Sequence, residues 1–304
     1  DSASKDAQAW FDYGLALSHA FYHEDAKVAM QRSVKADPQC SLCAWGEAWS
    51  LGPTLNYGID EDGRKAALAA ALRAQQLAKT GDAKARRLAD AIVARYADKA
   101  AAVGGETNVL GGPKAGEGQT EPAFGQAMAK IAADYPDDVE LAVLAAHSLM
   151  IPVRGGNKEG LKPALALLDG VLKTHPDDTG AIHYFIHGTE FDGRAEDAIA
   201  YAERLGKLAP AASHLVHMPA HTLFHAGRYE EAALVNAQAI EADTSWIRAG
   251  GNPNAPKAAA TDLPMYYAHN LAFGLAGSLM SGDGELALRY AEHAAKVYPD
   301  AGPA

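Results

Sequence analysis

Apolar residues return with the period of an amphipathic α-helix over most of the chain. Residues 82–102 (DAKARRLADAIVARYADKAAA) and 284–299 (GELALRYAEHAAKVYP) show this pattern, with alanine and leucine every three or four positions and charged residues between them. Few runs of β-branched residues interrupt it, so helices are predicted almost throughout. Proline cannot continue a helix, and five prolines mark predicted helix ends: Pro38, Pro136, Pro176, Pro210 and Pro299.

A repeat of 34 residues lies in the second half of the chain. Four positions return at that interval: Pro176, His183, His187 and Ala198 recur as Pro210, His217, His221 and Ala232. A repeat of this length, built from two helices, is typical of a solenoid in which each helical pair packs on the next. The predicted fold class is therefore all-α, an α-solenoid of about six to eight helix-turn-helix pairs with loop insertions.

Two sets of residues carry a resemblance to a known repeat. Gly14, Ala26 and Pro38 stand at the offsets of the tetratricopeptide repeat (TPR), and residues 225–243 (HAGRYEEAALVNAQAIEAD) resemble its turn and second helix. Further phrases resemble a group of exported bacterial TPR-containing proteins: FYHEDA, CSLCAWGEAWSLGPTLN, AIHYFIHGTE, SHLVHMPAHTLFHAGRYEEA and MYYAHNLAF. The resemblance implies that the first helices line a concave groove in which ligands bind, and it implies no particular reaction.

A single TPR-like helical solenoid is predicted over residues 1–304. It comprises N-terminal repeats with a Cys-x2-Cys pair (1–102), a Gly-rich loop (103–122) and C-terminal, His-rich repeats (123–304). Four insertions depart from the plain repeat: 52–63, 103–122, 151–160 and 248–263. Long loops inside a compact protein often act as lids. The insertions are therefore expected to narrow the groove around a small substrate.

The repeated histidine pairs are the main candidates for chemistry. His183-x3-His187 and His217-x3-His221 each place two imidazoles on one face of a helix, one turn apart, where they can share a ligand. Packed helix axes lie about 8–10 Å apart, so rings from adjacent helices can converge on one ion at bonds of roughly 2 Å. The predicted metal ligands are His183, His187, His214, His217, His221 and His269. The alternative is that these histidines line the groove or core and bond to tyrosines and backbone groups.

The ligand types decide which ion is expected. An all-histidine set favours Cu or Zn, and helices that present His-x3-His pairs resemble the ligand sets of type 3 copper proteins. Glu190 follows His183 and His187 on the same helix face, and two histidines with one carboxylate would admit Fe(II), Mn or Zn. Alternatively, Glu190 caps its helix or faces solvent. The predicted cofactor is a transition metal ion, with Cu as the first choice and Zn or Fe as the others.

Three residues are candidates for a catalytic role beside the metal: Glu190, Tyr267 and Glu47. Tyr267 and its neighbour Tyr266 precede His269, so either could supply a phenol near an ion. The alternative for this pair is an ordinary helix start after Pro264. Glu47 qualifies only if its side chain faces the groove.

The net charge of -11 argues against nucleic acid as a partner. A nucleic-acid backbone is bound by a basic stripe, whereas the Lys and Arg residues here are scattered. A small-molecule substrate or a peptide in the concave groove is predicted instead, with no nucleic acid. No stretch approaches 18 consecutive apolar residues, so no membrane span is predicted.

Cys40 and Cys43 form a Cys-x2-Cys pair without a second pair, which is an incomplete zinc framework. A disulfide or a reducible thiol pair is predicted, and a disulfide would indicate an oxidising compartment. The chain begins with Asp1 rather than Met and carries no apolar leader, as in a processed exported protein or a trimmed chain. The predicted location is periplasmic or secreted.

Together these patterns predict a metal-binding TPR-type protein, and first of all a metalloenzyme. Copper-type oxidative chemistry is the first hypothesis for its reaction and hydrolysis is the second. Two alternatives stay open. One is a non-catalytic TPR adaptor that binds a peptide or protein in the groove. The other is a protein that stores or delivers metal.

Overall fold

The computed structural model describes residues 4–56, 58–97, 122–248 and 266–298. These residues fold into α-helices joined by turns, and none of them forms a β-strand. The chain divides into two compact units, which meet in sequence between Thr174 and His175. The predicted all-α class of helix-turn-helix pairs is confirmed.

The first unit is a succession of helices, each of which packs mainly on its neighbours in sequence. In the described residues they are α1 (Lys5–His19), α2 (His23–Ala36), α3 (Ser41–Ser50), α4 (Glu61–Ala78), α5 (Ala83–Ala97), α6 (Pro122–Asp134), α7 (Val139–Met150) and α8 (Leu161–Thr174). Neighbour-on-neighbour packing is the arrangement of helical-repeat proteins. Trp45 and Trp49, with ring centroids 5.4 Å apart, belong to the core between these helices.

The second unit contains the 34-residue repeat and the predicted metal ligands. Its described helices are α9 (Thr179–Asp192), α10 (Ile199–Leu208), α11 (Ser213–His217), α12 (Pro219–His225), α13 (Tyr229–Arg248), α14 (Tyr267–Ser281) and α15 (Gly284–Val297). Helix α9 packs against α10 and α12, and α13 packs against α11, α12 and α14. This packing brings the starts of successive first helices (α9, α11 and α14) to one region of the unit.

The backbone confirms the TPR-like repeat at its turns. Gly193 and Gly227, which are 34 residues apart, both end a first helix with a left-handed backbone, at φ 74° and φ 75°. Only glycine adopts this conformation at little cost, so both positions need it. Each first helix can therefore turn sharply into its partner helix.

The first helix of the later repeat is broken where that of the earlier one is continuous. Residues 179–192 form α9, whereas the equivalent residues of the next repeat are divided between α11 and α12, with the break at Pro219. Proline has no N–H to donate to the preceding turn, so it ends one helix and begins the next. The break lies between His217 and His221, the two residues that form the second histidine pair.

Two of the predicted insertions differ from expectation. The partner helix expected from Arg64 begins at Glu61, because the Asp60 side chain accepts the Gly63 N–H at 2.7 Å and caps the helix three residues earlier. The insertion at residues 151–160 is not irregular throughout, because it opens with a 3-10 helix, Ile151–Gly155. Residues 103–121 and 249–263 of the other insertions lie outside the described residues.

The cysteine pair forms a disulfide at the start of α3. Cys40 is the N-cap residue of this helix, and its sulfur accepts the Cys43 backbone N–H at 3.0 Å. Of the two alternatives for the Cys-x2-Cys pair, the structure has the closed one. No helix among the described residues is both long and apolar enough to cross a membrane.

Candidate metal centre

The six predicted ligands assemble into two sets of three in the second unit. We call them the first histidine group (His183, His187 and His214) and the second histidine group (His217, His221 and His269). Within each group, one ring nitrogen from every residue lies within 4.8 Å of the others. Five of the six side chains are buried, and His269 is half-buried. Buried imidazoles that face one another are the arrangement expected of a ligand set.

Each group is built from one helix turn and one residue of the following first helix. His183 and His187 lie one turn apart on α9, with ring centroids 5.0 Å apart. His214, at the start of α11, reaches back so that its Nε2 lies 3.2 Å from His183 Nε2.

The second group follows the same rule across the break at Pro219. His217 ends α11 and His221 lies in α12, yet their ring centroids are 4.8 Å apart. His269, in the first turn of α14, places its Nε2 3.0 Å from His217 Nε2. His214 and His269 also hold the same place relative to the left-handed glycines Gly227 and Gly282 that end their helical segments. The repeat therefore explains why both groups have the same construction.

The nitrogen separations fit a metal ion. Two nitrogens bound to one tetrahedral ion at bonds of roughly 2 Å are about 3.3 Å apart. The observed pairs, His214 with His183 and His269 with His217, are 3.2 and 3.0 Å apart. An ion could therefore bind between each pair with small side-chain movements, and the third histidine of each group is near enough to approach it.

Asn236 fixes the tautomer of His217. The Asn236 Nδ2 donates to the Ala232 carbonyl at 2.8 Å, so its Oδ1 faces His217 Nδ1, at 2.6 Å. A carbonyl oxygen only accepts, so His217 Nδ1 carries the hydrogen and Nε2 of the neutral ring holds a lone pair. That lone pair points into the second group, towards His269. Metal-binding histidines usually donate their other N–H to such a partner.

Glu190 connects the two groups. Its Oε1 lies 3.1 Å from His221 Nδ1 and 3.3 Å from His225 Nε2, and its Oε2 lies 3.7 Å from His187 Nδ1. An ionised carboxylate only accepts hydrogen bonds, so His221 donates from Nδ1 and its Nε2 is left for the second group. The side chain is 20% exposed. The Glu190 side chain therefore contacts imidazoles instead of capping the helix or pointing into solvent.

Burial and neighbouring charges set the protonation states of this region. Burial lowers the pKa of His214 and His217 well below the usual value, and the surrounding histidines lower it further. Burial alone would raise the pKa of Glu190, but the interaction with His221 and the hydrogen bonds from His221 and His225 hold it well below its usual range. Neutral imidazoles beside an ionised carboxylate are the forms in which these groups bind a metal.

Aromatic rings enclose the histidines. Tyr266 stacks on His214, with ring centroids 4.0 Å apart, and Phe273 lies 4.7 Å from His221 and 5.3 Å from His217. A low-dielectric surrounding of this kind favours neutral imidazoles and strengthens the interaction of an ion with its ligands.

The structure separates the three candidate catalytic residues. Glu190 lies among the histidines. Tyr267 does not: its hydroxyl bonds to His293 Nε2 at 2.8 Å and its ring belongs to the core cluster of α13 to α15. Tyr266 is the tyrosine that contacts the grouped histidines, through His214. Glu47 belongs to the first unit, where it pairs with Arg73.

Sequence reasoning missed Asn236, Phe273 and the contact of His225 with Glu190. Asn236 had a detectable signal, because it is a polar residue on the buried face of α13 between Ala232 and Ala239. A fully buried amide needs a hydrogen-bond partner. Phe273 had no such signal, since an aromatic residue in an apolar helix is ordinarily part of the core.

Comparisons with known proteins add distant structural likenesses. No family model and no curated protein matches the chain. Over 98% of its length it is similar to a structure of Pseudomonas aeruginosa PilF, with 13% identity, a TM-score of 0.36 and 94% of that chain covered. It is also similar to a human IFIT1 dimer with PPP-AAAA (14% identity, TM-score 0.34, covering 97% of this chain and 73% of that one). For the IFIT1 dimer with m7Gppp-AAAA the values are 14%, 0.36, 91% and 68%.

Proposed function

We propose that this chain is a transition-metal protein whose six grouped histidines hold the ion, with Cu as the first expectation and Zn or Fe next. The observation that carries the proposal is the contact of His217 Nδ1 with Asn236 Oδ1 at 2.6 Å. It directs the Nε2 lone pair of a buried ring towards two other imidazoles. Metal-binding histidines almost always have such a partner, which fixes the tautomer and the ring orientation.

An all-nitrogen ligand set favours Cu or Zn over Fe, which is usually bound with carboxylates as well. Three histidines leave at least one coordination position open, and an open position is what distinguishes a catalytic site from a closed structural one. Bound copper would supply oxidative chemistry at this position, which is our first proposal for the activity. Hydrolysis of a small substrate by a metal-bound water is the second.

Glu190 is the residue proposed to orient the imidazoles beside the ion. Its carboxylate is ionised and lies against His221 and His225. It can therefore fix the ring orientation of His221 and offset part of the charge of a bound ion. Tyr266 replaces Tyr267 as the proposed phenol of the site because it stacks on His214.

The proposed location is an oxidising compartment, the periplasm or the exterior of the cell. The Cys40–Cys43 disulfide supports it, since disulfides persist in exported proteins and are rare in the cytosol.

Metal analysis of protein purified without a His tag tests the proposed function. We expect bound Cu or Zn that is lost from a variant in which His217→Ala and His187→Ala are combined, and retained in the control His175→Ala, whose side chain is exposed in the same unit. The midpoint temperature of thermal unfolding should rise on metal addition and fall with EDTA, because an ion that binds only the folded chain stabilises it. The proposal would be refuted if the purified protein contains no metal and its midpoint temperature does not change on addition of Cu, Zn or EDTA.

The second candidate function is a non-catalytic adaptor that binds a peptide or protein. The observation in its favour is a set of exposed apolar side chains on the last helical pair, Leu279, Met280 and Leu288, each more than half exposed. The metal-free outcome above would favour the adaptor. Several weakly bound equivalents without turnover would instead favour metal storage or delivery.

A further inference from the structure

The two groups of three histidines bear on how many metal ions the second unit can bind. A single ion with bonds of roughly 2 Å takes about four protein ligands in a tetrahedral site. Six buried or half-buried imidazoles exceed that number. Moreover, each group contains one close nitrogen pair, His183 with His214 at 3.2 Å and His217 with His269 at 3.0 Å. Each pair already has the separation that one ion requires.

The two groups are also adjacent. Ring centroids of His187 and His221 lie 5.6 Å apart, and those of His214 and His217 lie 5.8 Å apart, although each pair joins one group to the other. Glu190 touches one histidine of each group. In proteins that use two metal ions together, the ions are about 3.5–4 Å apart.

Charge further limits which pair of ions fits. An imidazole binds a metal in its neutral form, and Glu190 is the carboxylate in direct contact with the grouped histidines among the described residues. Two divalent cations with one carboxylate would leave three positive charges in a buried region, which is costly. Two Cu(I) ions would leave one, and two divalent ions would require a bridging anion such as hydroxide.

We infer that the second unit holds two copper ions, one in each histidine group, close enough to share a bridging ligand between them. This inference rests on the proposed function and deepens it. Glu190 acts as a positioning residue that fixes His187 and His221 on either side of the shared space. The open positions of the two ions face that space, so a small molecule or hydroxide that bridges them is the class of ligand expected there.

Copper titration of the full chain, without a His tag, tests the pair. We expect two Cu(II) equivalents in the wild type, with an EPR signal well below that of two isolated spins because bridged ions couple. His269→Ala and His214→Gln should each bind one equivalent with the full signal of one spin. His175→Ala should behave as the wild type. If His214→Gln fails to fold by circular dichroism, the wild-type spin count and His269→Ala decide the question.

The other outcomes separate this inference from the proposed function. One equivalent in the wild type, lost in both variants, would overturn the pair and leave the metal protein in place. Two equivalents with the signal of two full spins would overturn the shared ligand and the proximity. No bound copper at all would overturn both proposals.

Discussion

The two 34-residue repeats of the second unit carry the same histidine pair but support it differently. In the earlier repeat, α9 is one continuous helix that Asp178 caps and that ends with Glu190 near its last turn. In the later repeat the equivalent residues are Ala212, which offers no side-chain cap, and Phe224. The carboxylate that contacts His221 thus comes from the neighbouring repeat.

On the second helices, the later repeat has the supporting residue and the earlier repeat lacks it. Asn236 of α13 bonds to His217, whereas the equivalent residue in α10 is Ala202, which has no polar group to offer His183. The grouped histidines therefore follow the repeat, whereas Asn236 and Glu190 do not. Glu190 lies 3.1 Å from His221 Nδ1 in the second group and 3.7 Å from His187 Nδ1 in the first, so it holds the second group more closely. Residues that are held in place lose less freedom when they bind an ion.

The largest expected effect compares the two groups directly. In the wild type we expect two binding steps, of which the tighter belongs to the second group. His217→Ala should remove the tight step and weaken the first equivalent by more than about 100-fold, because loss of a ligand should exceed the 10- to 100-fold cost of losing a partner behind it. His183→Ala should remove the weak step and leave the tight one. Calorimetric titration with copper measures both, and equal losses in the two variants would contradict the ranking.

Asp243 provides the next effect, on stability. It is 2% exposed, and its equivalent in the earlier repeat is Ala209. Burial raises its pKa to about 6, although hydrogen bonds from Ser213 and Asn270 oppose the rise. Its usual value is about 3.9, so the folded state binds this proton more tightly than the unfolded state does. The contribution of Asp243 to stability is therefore fullest below pH 4 and is lost as the pH rises through 6, by about 2–3 kcal/mol.

Asp243→Asn should remove this loss. In urea unfolding of metal-free protein, the difference in free energy between Asp243→Asn and wild type should grow in favour of the variant by about 2–3 kcal/mol from pH 4 to pH 7.5. Taking the difference cancels the titration of the buried histidines, which is common to both proteins. Glu292→Gln, at an exposed position of α15, serves as the control and should show no such growth. A flat difference for Asp243→Asn would mean that this carboxyl titrates normally.

Glu190→Gln tests the shared support. The amide oxygen can still accept from His221, but the charge and the second acceptor are lost. We expect copper affinity to fall by about 10- to 100-fold, and more at the second group than at the first, since Glu190 lies 3.1 Å from His221 and 3.7 Å from His187. Glu230→Gln, exposed on α13, is the matched control. An equal effect of both variants would mean that Glu190 acts only through its negative charge and not through its contacts with the histidines.

The sequence was sufficient to predict that these histidines lie together, but not which residues support them. His183, His187, His217 and His221 follow from helical spacing combined with a 34-residue period, both of which are local properties of the chain. His214 and His269 followed from their place in the repeat frame. The glycine turns then confirmed the period.

The residues that contact the histidines are set by packing between helices, which the 34-residue period of the sequence does not determine. The choice between Tyr266 and Tyr267 turns on the rotation of α14, and residues 249–263 before it broke the register by which that rotation could be predicted. The sequence analysis did not use Pro219, at which the helix breaks, and whether His217 and His221 stay together across the break depends on how α11 and α12 pack against α13. Glu190 was found as a ligand-like residue, yet its contact with the next repeat is a tertiary property.

The smallest effect concerns the helix starts, where the repeats differ by one cap. The Asp178 side chain accepts the Ala181 N–H at 2.7 Å, and Ala212 holds the same backbone place with φ -97° and ψ 92°, an extended conformation suited to a capping residue. Asp178→Ala should therefore cost about 1 kcal/mol of unfolding free energy, and Ala212→Asp should gain about 0.5–1 kcal/mol. Urea unfolding of metal-free protein measures both. A gain from Ala212→Asp would mean that the later repeat keeps the backbone of a capped helix and lacks only the side chain, whereas a loss would mean that the break at Pro219 has already shifted the start of α11.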